Sequence, residues 1–214
     1  VNGPSFTIRK FSAEPLSVTQ IVDWNTYSAQ MAAYMWLCLE AGVNMFICGE
    51  IGSGKTSTLN AIMPFIPYNS KIYSVEDTAE LFASHRVWQE LLTRDTGIEE
   101  TTVDTQQLLR AGFRSRPDYI VVGEIRGPEG NIAFQAMQAG RPVLSTFHAD
   151  TISRLVQRFT GDPINVPIRF LTNLHAVLIQ KSLYLQGRMH RRAIGLFEIL
   201  GYSSEANTII TSGV

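Results

Sequence analysis

Cysteine is nearly absent from this chain, with Cys38 and Cys48 the two among 214 residues. Both sit in apolar surroundings without C-x-x-C spacing or a nearby histidine pair. A disulfide framework or zinc site is thereby disfavoured, and two buried, reduced thiols are expected, as in a cytosolic protein. Charge is also sparse: Asp, Glu, Lys and Arg make up 17% of residues and the formal net charge is −1. Nothing electrostatic therefore favours a nucleic-acid binder. No apolar run reaches the roughly 18 residues of a membrane-spanning helix, and no signal peptide opens the chain. Internal repeats and low-complexity tracts are lacking as well. Val1 is not an initiator methionine and Asn2-Gly3-Pro4-Ser5 reads as the middle of a linker, so a fragment of a longer protein is expected.

What the chain does have is enough apolar content, 45% of residues, to bury one sizeable core. It also has the stretch GEIGSGKT from Gly49 to Thr56, a Gly-x-x-x-x-Gly-Lys-Thr pattern. That spacing is the phosphate-binding P-loop: glycines turn backbone N–H groups inward, Lys55 reaches the β- and γ-phosphates, and the Thr56 hydroxyl is placed for Mg²⁺. Gly49, Gly52, Ser53, Gly54, Lys55, Thr56 and Ser57 are the candidate nucleotide-binding residues. The apolar run 44–48 before the loop reads as a buried strand and 55–63 after it as a helix whose N-terminus faces the phosphates.

Other segments follow the same alternation. Residues 6–11 alternate as a strand does, Ser17 caps a short helix, and a helix from about Thr26 to Glu40 stops at Gly42. Strands are expected at 71–75, 91–93, 119–123 and 142–147, with helices from Thr102 or Asp104 to about Phe113, from Pro128 to about Ala139, and from Thr151 to Thr160. A helix near Ile168 to Asn173 and two long strand-like segments, 175–185 and 189–201 around a turn at Gly187, complete the chain. Alternating strands and helices imply α/β architecture with a mainly parallel sheet, a C-terminal antiparallel β segment, and ligands at the carboxyl ends of the strands.

That rule selects Glu76 with Asp77, Glu124, and His148, each at a strand end. Glu124 reads as the acid that holds Mg²⁺ through water and Glu76 as the group polarising the attacking water, although the two roles are exchangeable. For each acid the competing reading is helix capping or solvation; for His148 it is a satisfied structural histidine. An arginine stabilising the transferring phosphoryl group is sought among Arg110, Arg114 and Arg116, then Arg126, Arg154 and Arg158, with Arg9 a remoter candidate. A surface salt bridge competes with catalysis for each. The basic run Arg188-Met189-His190-Arg191-Arg192 reads as a charged hairpin edge, or as a contact with anionic lipid. Trp24, Trp36 and Trp88 read as core or interface residues.

With these motifs in view, the chain resembles the secretion-ATPase superfamily of type II and type IV secretion and type IV pilus motors. A Walker A loop (GEIGSGKT), an aspartate box (Ser74 to Glu80), a modified Walker B (Arg116 to Arg126) and a histidine box (Gly140 to Asp150) follow in the expected order. Within that superfamily it is most similar to the archaeal motor ATPase of the archaellum, through residues 3–11, Val87-Trp88-Gln89 and 163–167. The resemblance implies a RecA-like catalytic domain over 17–214 behind a linker and first strand over 1–16, with a separate N-terminal domain missing. It implies Mg-dependent ATP hydrolysis by a cytoplasmic hexamer at the inner face of the membrane, acting on a polytopic membrane platform protein and a filament. It also implies the aspartate-box role for Glu76, the Walker B role for Glu124 and the histidine-box role for His148. Arg141 stands where many members carry a second histidine, so no role attaches to it. A RecA-like nucleic-acid translocase and a nucleotide-gated scaffold of negligible turnover are the competing readings.

Overall fold

The computed structural model describes residues 3–8 and 14–214. The expected first strand is absent from Phe6–Ile8, which is irregular, and its remainder, including Arg9, lies outside the described residues. The eight strands are β1 (Met45–Gly49), β2 (Lys71–Glu76), β3 (Val87–Leu92), β4 (Tyr119–Ile125), β5 (Val143–Phe147), β6 (Ala176–Leu185), β7 (Arg188–Ser203) and β8 (Thr208–Gly213), and they form one sheet ordered β3-β2-β4-β5-β1-β6-β7-β8. The first six in that order are parallel to their neighbours, whereas β7 and β8 add antiparallel. The mainly parallel α/β sheet with an antiparallel C-terminal segment is thus the observed fold.

Among the described residues six α-helices flank it: α1 (Val18–Asp23), α2 (Ala29–Glu40), α3 (Lys55–Ile62), α4 (Thr105–Ser115), α5 (Glu129–Gln138) and α6 (Ile152–Thr160). Because side chains alternate along a strand, a strand covered on both faces must be apolar throughout. In β1, Phe46 and Cys48 enter one core with residues of α4, α5 and α6, whereas Met45 and Ile47 enter the other with α1, α2 and α3. The continuous apolar run ahead of the P-loop is therefore a consequence of its central place between β5 and β6. Both cysteines are buried and free, and burial pushes their thiols up.

Local signals placed most helix ends. Ser28 accepts from the Met31 N–H, so α2 starts three residues later than Thr26. Asp104 and Gln107 form a reciprocal capping box on α4, and the Thr151 hydroxyl accepts from the Arg154 N–H to start α6. Pro128 is the N-cap of α5 rather than its first helical residue, while the Glu129 carboxylate accepts the Arg126 and Gly127 N–H groups at 2.6 and 2.7 Å. Residues Ile168–Asn173 form a 3₁₀ rather than an α-helix. β3 is longer than expected, tied to β2 by Trp88 Nε1 donating to Ser74 Oγ at 2.8 Å. β8 was not expected at all: its sequence is polar apart from a few positions, and Ile209 is its buried anchor.

Candidate functional site

Strand order decides what meets the P-loop. β2, β4, β5 and β1 lie side by side with their carboxyl ends on one edge, so Glu76, Glu124, His148 and the loop after Gly49 stand in a row. The structure brings these three residues together with the loop, as the sequence suggested.

The loop is shaped by close approach. A Cβ on Gly49 would lie 2.3 Å from the backbone oxygen of Gln180 on β6, a contact no side chain tolerates. Gly54 caps α3 in the left-handed region at φ 92°, with no side-chain cap, which leaves the first-turn N–H groups directed at the loop's mouth. Ser53 Oγ donates to the Glu50 carbonyl at 2.8 Å. Lys55 is 7% exposed, and its Nζ donates to the same carbonyl at 2.9 Å. Desolvation lowers the Lys55 pKa, opposed by the Glu124 carboxylate.

From Lys55 a polar chain runs across the site. Lys55 Nζ is 3.4 Å from His148 Nδ1, and His148 Nε2 is 2.5 Å from Glu124 Oε1. Burial first, then the Lys55 charge, pulls the His148 pKa down against the pull of Glu124. A neutral imidazole accepting at Nδ1 from the ammonium and donating from Nε2 to the carboxylate satisfies both contacts. The other Glu124 oxygen accepts from Arg126 Nε at 2.6 Å, and Arg126 reaches on to Asp77 at 3.6 Å. A bulge separates β4 from β5 at this point, between Val122 and Ile125, so Gly123 and Glu124 leave the ladder. Thr146 Oγ1 donates to the Gly123 carbonyl at 2.7 Å and stabilises the bulge.

Glu76 is 4% exposed. One oxygen, Oε1, accepts the Glu80 and Leu81 N–H groups at 3.1 and 2.9 Å, while buried Oε2 has no partner among the described residues. Desolvation outweighs those two hydrogen bonds and raises its pKa to about 7. The side chain lies across Gly123, where a Cβ would come 2.9 Å from Glu76 Cγ. Thr56, Glu76, Asp77, Gly123, Glu124 and Arg126 line one cleft of about 110 Å³. Its hydroxyl and carboxylate oxygens are the donor set that Mg²⁺ takes, with Thr56 and Glu124 the residues that would hold it.

Arg110, Arg114 and Arg116 are exposed at α4 and its C-cap and line none of that cleft. Arg154 pairs with Asp150 at 3.0 Å, and Arg158 donates to the His148 carbonyl with its guanidinium 4.9 Å from the Phe147 ring centre. Sequence reasoning missed three participants. Gly123 supplies room for Glu76; its signal was a glycine inside a β-branched strand. Gln180, fully buried beside the loop, donates from Nε2 to Thr58 Oγ1 at 2.9 Å. Arg191, read as a hairpin-edge charge, donates from Nε to the Gly52 carbonyl at 2.9 Å. No local pattern marks either of the last two, because both depend on β6 and β7 folding back beside the loop.

The described residues include no helix long and apolar enough to cross a membrane. Comparison with known proteins agrees with the geometry. The family model "Type II/IV secretion system protein" matches residues 1–183. An uncharacterized protein of Methanocaldococcus jannaschii is 56% identical over 212 residues, covering 99% of this chain and 38% of its own length. The crystal structure of the VirB11 ATPase from the Brucella suis type IV secretion system superposes with a TM-score of 0.68 at 20% identity, over 92% of this chain and 66% of that one. The pilus retraction motor PilT with bound ADP gives 0.63 at 22% identity, over 93% and 57%. The RecA-like fold is shared, and the chain belongs to the type II/IV secretion system protein family.

Proposed function

We propose that this chain is the catalytic domain, over 17–214, of a Mg-dependent ATPase motor that powers assembly or rotation of an archaellum- or type IV pilus-like filament, or related secretion. The observation that carries the reading is the row of Lys55, Glu124, His148 and Glu76 across four adjacent strand ends. The phosphates of ATP lie in the loop from Gly49 to Ser57, on the α3 N-terminus, with Lys55 against the β- and γ-phosphates. Thr56, and Glu124 through water, would hold Mg²⁺, which when bound would supply charge neutralisation to the phosphoryl oxygens.

Between the two acids, environment assigns the roles. Glu124 faces the cations Arg126 and Lys55 and presents carboxylate oxygens suited to a metal. Glu76 is desolvated, fixed through one oxygen, and has the other free to accept a proton from the attacking water. A pKa near 7 suits a general base at neutral pH. His148 links Lys55 to Glu124 and keeps the two in register.

Arg110, Arg114 and Arg116 are exposed and line none of this cleft, so in this reading the arginine comes from a neighbouring subunit of a hexamer. A homologous name, PilT, carries the words "pilus retraction motor". The partner is a polytopic membrane platform protein, the place the cytoplasmic face of the membrane, and no nucleic acid is involved. Phosphate release by the purified protein tests this: turnover per chain rises with protein concentration and disappears in Lys55→Ala and Glu124→Ala. Undiminished turnover in Lys55→Ala overturns the site. Stimulation by DNA would favour a nucleic-acid translocase instead.

A further inference from the structure

Asn60 lies one turn after Thr56 on α3, a four-residue spacing that puts the two on one face of the helix. It is partly buried, and its carboxamide grips the loop after β2. Nδ2 donates to the Glu80 carbonyl at 2.7 Å, and Oδ1 accepts the Phe82 N–H at 2.9 Å. Only this orientation of the amide satisfies both partners. The Glu80–Leu81 peptide is thereby held from two sides. It is trans, and a planar trans peptide directs its C=O and N–H in opposite directions. Its carbonyl meets Asn60, while its N–H, that of Leu81, donates to Glu76 Oε1 at 2.9 Å. The loop has other anchors, since Leu81 is buried in one core with Leu59 and Ile62, and His85 Nε2 lies 2.9 Å from the Ile66 carbonyl. Neither of these is a hydrogen bond to that peptide.

We infer that Asn60 is a positioning residue for the proposed hydrolysis: it fixes the rotation of the Glu80–Leu81 peptide and, through it, the orientation of the Glu76 carboxylate. The inference rests on the reading of Glu76 as general base. Asn60 lines none of the cleft of Thr56, Glu76 and Glu124, so it acts through that peptide and not on the nucleotide. Without its carboxamide the peptide is free to rotate, and rotation takes the Leu81 N–H off Oε1. The carboxylate then keeps one hydrogen bond of two, from Glu80 N, and Oε2 is no longer held toward the attacking water. Lys55 and Thr56 occupy the first turn of α3 and Asn60 the second. One short helix therefore sets both the phosphate-binding side chains and the base, which fixes the separation between the bound γ-phosphate and the group that activates water.

Single-turnover phosphate release and calorimetric Mg-ATP affinity, measured on the full chain in wild type, Asn60→Ala, Glu76→Gln and the double variant, test the assignment. Asn60→Ala is expected to slow release about ten- to a hundredfold while affinity stays within about threefold. In the Glu76→Gln background the same substitution is expected to change the rate less than about twofold, because the base that Asn60 positions is already gone. Retained Mg-ATP binding shows that the variants are folded. A wild-type rate in Asn60→Ala, or an equal loss in both backgrounds, overturns the inference and leaves the reading of Glu76 standing. Loss of Mg-ATP binding in Asn60→Ala overturns it as well, since Asn60 would then be a structural support of the P-loop helix. A wild-type rate in Glu76→Gln overturns the general-base reading and this inference with it.

Discussion

At the scale of single residues, the candidate site holds two carboxylates in different environments. Glu76 shows this most clearly, because its burial has a thermodynamic consequence. Its pKa rises from 4.5 to about 7, so between those values the folded chain binds a proton that the unfolded chain has released. The contribution is a stabilisation complete below pH 4.5 that is lost as pH rises through about 7. Melting temperatures across that window are expected to fall less steeply in Glu76→Gln than in wild type; parallel curves would contradict the assignment. Gly123 is the companion test. A methyl group there meets Glu76 Cγ at 2.9 Å without backbone strain, so Gly123→Ala is expected to lower turnover at least tenfold while nucleotide affinity changes less than threefold. Unchanged turnover would show that Glu76 is not held by this contact. Glu76, Glu124 and His148 were legible because acids and a histidine at strand ends are visible locally. Gly123 was passed over because its purpose is a neighbour on another strand.

At the scale of elements, the P-loop depends on the sheet edge beside it. β6 supplies the Gln180 carbonyl against Gly49, and β7 supplies Arg191 against Gly52. Gly49→Ala would force a Cβ to within 2.3 Å of that carbonyl and separate β1 from β6. Overpacking of this kind costs about 1–3 kcal/mol or more, which in a domain of this size lowers the melting temperature by roughly 2–12 °C. Arg191→Ala is expected to spare the fold, since the side chain is exposed, but to weaken Mg-ATP and Mg-tripolyphosphate alike, about three- to tenfold, because the loop loses its brace. A loss confined to ATP would place Arg191 on the nucleoside instead. Most elements were readable from period and caps: β1 from its apolar run, α4 from Asp104 and Gln107, α6 from Thr151. β8 was not, because it gains its order from pairing with β7 rather than from its own pattern. The same applies to the Arg188–Arg192 run, whose basic composition could not say that one member turns inward to the loop.

At the scale of the whole molecule, the parallel strand order converts a linear series of motifs into one edge. A central β1 flanked by β5 and β6 places the loop beside Gln180 on one side and beside His148, Glu124 and Glu76 on the other. Arg110, Arg114 and Arg116 stand outside that convergence, and the proposal that a second subunit completes the site is tested through them. Reversing charge at Arg110, Arg114 or Arg116 is then expected to reduce turnover without changing nucleotide affinity in the isolated chain, and addition of a Lys55→Ala chain carrying intact arginines is expected to restore part of it. Absence of any such complementation would place the arginine elsewhere.

In the proposed mechanism Glu76 activates the water that attacks a nucleotide held by the P-loop. Its most direct test pairs Mg-ATP affinity with single-turnover phosphate release in wild type and Glu76→Gln. Affinity is expected to stay within threefold and the rate to fall by roughly 10²–10⁴, with the wild-type rate rising with pH through about 7. A Glu76→Gln protein that hydrolyses ATP at the wild-type rate would contradict it.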